Sequence, residues 1–76
     1  MIQEDALTRL ITDVWPDAKV AVLDKTGQAD HFIIRVVTPH FEQVALLDRH
    51  RQVMACLKPA FEDGRLHAAE IQTATA

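Results

Sequence analysis

With 76 residues, 49% of them hydrophobic and 25% charged, the chain has room for one small domain (1–76) around one core, and its composition excludes a long disordered tail. Its formal net charge of −3 argues against a general electrostatic grip on phosphates. The single cysteine, Cys56, excludes an internal disulfide, no apolar run nears the ~20 residues that span a bilayer, and the opening MIQEDALTRL lacks the pattern of a signal peptide, so a cytoplasmic protein is expected.

Ile2, Ala6, Leu7, Leu10, Ile11 and Val14 recur at helical spacing and predict a first helix that Trp15-Pro16 ends. Glu4 and Asp5 fall in its first turn, where the helix dipole favours negative charge. Lys19 to Leu23, KVAVL, reads as a strand, and the polar loop Asp24 to Asp30 has Gly27 at its centre. His31 to Thr38, HFIIRVVT, is a second strand with Phe32, Ile34 and Val36 on one face and His31, Ile33, Arg35 and Val37 on the other. Two strands joined by a short loop make an antiparallel hairpin.

Pro39 stops that strand. A turn or short helix at Phe41 leads to a long helix that starts between Val44 and Leu47, with the apolar stripe Leu46, His50, Val53, Met54, Leu57 and Phe61. Pro59 should kink it or start a new turn, and Gly64 suits its end. The last strand is Leu66 to Thr73, LHAAEIQT. A right-handed helical crossover makes it parallel to the second strand. The expected fold is α+β in the order α-β-β-α-β, with two helices covering one face of a three-stranded mixed sheet.

The histidines carry the chemistry on offer. His67 heads the last strand and His31 the second, whereas His50 lies in the apolar stripe of the long helix and reads as a half-buried, hydrogen-bonded side chain. Arg49 and Arg51 flank it on more exposed faces and offer contacts to an acidic partner or to phosphate. His40 reads as exposed, Trp15 and Phe32 as core, and Cys56 as a buried thiol. No nucleophile stands beside a base, there is no pair of catalytic carboxylates and no phosphate loop, and adjacent Asp30 and His31 point to opposite faces of a strand; an enzyme is not expected.

Several short motifs occur together in a fixed order. They are Ala18-Lys19-Val20, Asp30-His31-Phe32, Val36-Val37, Phe41-Glu42, Arg49-His50-Arg51 with Val53 and Leu57, Leu66-His67-Ala68, and Ile71-Gln72-Thr73. Over nearly its whole length the chain resembles the BolA-like family. The resemblance implies a KH-like fold of the second topological type, which agrees with the order read from the residues. It also implies pairing with a monothiol glutaredoxin around a shared [2Fe-2S] cluster. The partner's cysteine and a glutathione would supply thiolates, and the histidine matching His67 would supply imidazole. The isolated protein is expected to carry no cofactor. Relatives can offer a second histidine or cysteine from the loop between the first two strands; Asp24 to Asp30 contains neither, and His31 at its exit is the nearest candidate. Gln43 and Ala45 stand where the family usually has glycine and serine, and the proline-acid-tryptophan segment that often follows the third strand is missing.

The resemblance thus implies a non-enzymatic adaptor in iron–sulfur cluster trafficking or iron and redox regulation. The alternative is a DNA-binding transcriptional regulator using the KH-like fold; Arg49, His50 and Arg51 are the expected contacts with the partner, whose surface the helix bearing Arg49 and Arg51 would border, or with nucleic acid. A KH domain clamps backbone with a GxxG loop, and this chain has no two glycines at that spacing. A weak homodimer stays open as a further association, and no membrane partner is expected.

Overall fold

The computed structural model describes residues 2–75. Its elements are α1 (Glu4–Thr12), β1 (Lys19–Asp24), β2 (His31–Val37), a 3₁₀ turn (Pro39–Phe41), α2 (Leu46–Glu62) and β3 (Ala68–Ala74). The sheet order is β1-β2-β3, with β1 antiparallel and β3 parallel to β2. This is the α-β-β-α-β arrangement and mixed sheet expected from the residues.

β2 is the central strand, so its inward side chains are covered from both sides. Phe32, Ile34 and Val36 are fully buried, whereas Val20 and Val22 of edge strand β1 are only half-buried. Leu7 and Ile11 of α1 and Val53, Leu57 and Ala60 of α2 close over this row and complete one core. Burial of each valine, leucine, isoleucine or phenylalanine side chain here contributes roughly 1.5–3 kcal/mol. The other face of the sheet has no helix on it.

Three local readings change, at Val14, Leu46 and the start of the third strand. Helix α1 stops at Thr12, and Val14 lies in the following turn, 55% exposed, because the Val14 and Trp15 amides both return to the Ile11 carbonyl. Leu46 is 70% exposed; it occupies the first turn of α2, beyond the edge of the core. Pro59 lies inside an unbroken α2. The donor it lacks would have served the carbonyl of Ala55, an exposed residue, and water can satisfy that carbonyl. The third strand begins at Ala68 rather than Leu66, because Leu66 is held as a core anchor, its amide bonded to the Ala60 carbonyl at 3.0 Å. Gly64, at φ +80°, makes the left-handed step that ends α2, as expected.

Candidate functional site

The parallel ladder places His31 beside Ala68, the residue after His67. The first residues of β2 and β3 therefore put His31, on β2, and His67, just before β3, at one end of the sheet. His67 is exposed in the connection between α2 and β3. His31 is half-buried, with Nε2 4.0 Å from Oε1 of Glu70. That carboxylate also accepts from Nζ of Lys25 at 3.1 Å. Lys25 and Glu70 escaped the sequence reading. The signal was the period of two: once β2 and β3 are in register, Glu70 falls on the face of His31.

The β1–β2 loop beside this end is tied to itself. Asp24 accepts from the amides of Gly27 and Ala29, at 3.0 and 2.9 Å. The Thr26 hydroxyl donates to Asp30, and the Lys25 amide bonds to the His31 carbonyl. On the other side, Asp63 accepts from the amide and Nε of Arg65, at 3.0 and 2.7 Å. These bonds, the backbone one foremost, hold its carboxyl below the usual aspartate range. His67 thus follows a turn fixed by Asp63, Gly64 and the buried Leu66.

Among the described residues, no group of three or more His, Cys, Asp or Glu side chains is placed to hold a metal ion. Imidazole is a suitable donor to iron, and the exposed ring of His67 is open to a second molecule that carries further ligands.

Arg49, His50 and Arg51 lie in the first turns of α2, while His67 follows its last. At about 1.5 Å per residue the helix is ~25 Å long. Most of the length of α2 therefore separates the two groups. The burial expected for Arg49 and His50 is reversed, whereas Arg51 is exposed as expected. His50 is exposed, since so near the start of α2 its flank runs past the core. Arg49 is half-buried: Nε donates to the Val44 carbonyl at 2.7 Å, and the guanidinium stands 5.9 Å from the Phe41 ring centroid. Arg51 is exposed, 3.8 Å from Asp48.

His40 is exposed as expected and lies 3.2 Å from Asp17. Trp15 is half-buried, packing edge-on against Phe41 with centroids 5.2 Å apart. Cys56 is half-buried rather than fully buried, in a shallow groove beside Trp15, and burial pushes its thiol pKa up. A thiol so placed stays protonated at neutral pH and is a poor metal ligand or nucleophile.

A family model described as BolA-like protein matches residues 8–76. An uncharacterised protein from the rpoN-murA intergenic region of Acinetobacter guillouiae is 34% identical over 74 residues, 97% of this chain and 86% of that protein. The structure of a BolA homologue from Coxiella burnetii superposes with a TM-score of 0.79 at 25% identity, covering 99% of this chain and 92% of that one. That of BolA1 from Arabidopsis thaliana gives 0.74 at 25% identity, covering 96% and 94%.

Proposed function

Since the chain belongs to the BolA-like protein family, we propose that it is a non-enzymatic adaptor that pairs with a monothiol glutaredoxin and shares a [2Fe-2S] cluster with it. The observation that carries this reading is His67, exposed at the end of the sheet next to the residue that pairs with His31. Such a half-site suits a cluster completed by the glutaredoxin cysteine and glutathione. When bound, the cluster would supply iron and redox chemistry. His67 would hold it through a neutral nitrogen, which dissociates more readily than a thiolate. His31 is the candidate second ligand; its Nε2 stands 4.0 Å from Glu70, beyond hydrogen-bond reach. Arg49, His50 and Arg51 would lie outside this contact, at the other end of α2. DNA binding along α2 draws on less than the sequence suggests, because Arg49 is engaged by Val44 and Phe41.

The test is anaerobic reconstitution with a monothiol glutaredoxin, glutathione and iron, read by visible absorption and circular dichroism. A heterodimer spectrum distinct from the glutaredoxin homodimer is expected. His67→Ala should abolish it without unfolding the domain, and His31→Ala should have the smaller effect. An unchanged spectrum in His67→Ala would overturn the ligand assignment, and no complex at all would overturn the adaptor reading.

A further inference from the structure

The face of the sheet without helices differs in charge from the rest of the chain. The ladder registers put Lys19, Leu23, Ile33, Arg35 and Glu70 on it, and Lys25 reaches it through its bond to Glu70. Three lysine or arginine side chains, with His31 beside them, thus meet one acid on this face, while the five remaining lysines and arginines of the chain are outnumbered by ten acids. Glu70 is already engaged by Lys25. Lys19 and Arg35 are exposed and have no salt-bridge partner among the described residues. Arg35 stands opposite Ala21 on one side and Gln72 on the other, so no acid is its neighbour in the ladder. Between these cations and the His31 end, Leu23 is 60% exposed beside half-buried Ile33.

From this we infer that the open sheet face docks an acidic protein segment carrying apolar side chains between its carboxylates. Carboxylates would meet Lys19 and Arg35, Arg35 with bidentate geometry, and the apolar side chains would cover Leu23 and Ile33. The charge of the face selects this occupant. A second copy placed face to face would set like charges against each other. Nucleic acid lacks a stacking platform, since Trp15, Phe32, Phe41 and Phe61 all lie off this face. The docking site is independent of the cluster reading: Arg35 lies four residues along β2 from His31, ~13 Å at strand spacing.

The experiment is a titration of the full chain, followed by amide NMR shifts, with a short soluble peptide in which Glu and Leu alternate. Shifts are expected over Lys19–Leu23 and Ile33–Val37, weakening with added salt. Arg35→Glu should weaken binding about tenfold or more and Arg35→Gln by less, with both variants folded by circular dichroism and His67→Ala binding as the wild type does. No binding, equal binding of the peptide with Lys in place of Glu, or shifts centred on His50 and Arg51 would each overturn the inference. So would occupation of this face by single-stranded DNA, by anionic phospholipid vesicles or by a second copy while the acidic peptide leaves it free.

Discussion

Arg49 donates from Nε to the main-chain carbonyl of Val44 at 2.7 Å, and so fixes the segment that enters α2. Its guanidinium also covers the Phe41 ring, whose edge-on neighbour is Trp15. A hydrogen bond from a charged donor contributes about 1.5–3 kcal/mol when solvent is partly excluded, and a partly exposed cation–π contact about 0.5–1 kcal/mol. Arg49→Ala should therefore destabilise the domain by roughly 2 kcal/mol in urea unfolding. Arg49→Lys should recover little, because an ammonium does not reproduce the planar fork. Wild-type stability in Arg49→Lys would show that charge alone suffices.

Gln43 sits at φ +64° between the 3₁₀ turn and α2, a left-handed backbone that costs a non-glycine residue on the order of 1 kcal/mol. The residues predicted only that the family's usual glycine is absent there; the backbone supplies the reason for that glycine. Gln43→Gly should raise the urea midpoint. The gain is held to roughly 0.5 kcal/mol because glycine also gives the unfolded chain more freedom. A β-branched residue at position 43 should cost stability. A lower midpoint for Gln43→Gly would mean that the Gln43 side chain holds the turn.

His50→Ala should change stability by less than about 0.5 kcal/mol, as exposed substitutions usually do. This is the reverse of what its place in the apolar stripe suggests, and it follows from the exposure of that flank of α2. Thermal unfolding of His50→Ala beside Val53→Ala separates the two positions, since truncating fully buried Val53 should cost stability through lost burial and a cavity. Comparable losses in both would place His50 in the core after all.

Asp63 gives the turn before His67 a pH dependence of definite sign. Its carboxyl pKa is lower in the folded chain than in the unfolded one, because the charged form accepts from Arg65. That contribution is complete above the ordinary aspartate value of about 3.9 and is lost as pH falls through the lower folded value. Acid titration followed by the Arg65 amide shift should show the turn loosening below that ordinary value. In Asp63→Asn the acid-dependent change should vanish. An Arg65 amide that titrates alike in both proteins would assign the effect to another carboxylate.

The periodicities of the sequence determined the element order, the inward row Phe32, Ile34 and Val36 and the glycine step at Gly64, because those depend on side-chain spacing and backbone preference along the chain. The approximate start of α2 was legible for the same reason. Tertiary structure decided what lies beyond the edges of the core. A helical stripe does not say where the sheet beneath it ends, so Leu46 and His50 read as inward-facing yet are exposed. An arginine beside them reads as surface, yet Arg49 finds a carbonyl five residues back and a ring eight residues back. The pairing of His31 with the end of β3 that follows His67, and the gathering of Lys19, Lys25 and Arg35 on the open face, depend on strand register. Register depends on how two strands pair and on the geometry of the connection between them, and the spacing within one strand does not fix its partner residue by residue.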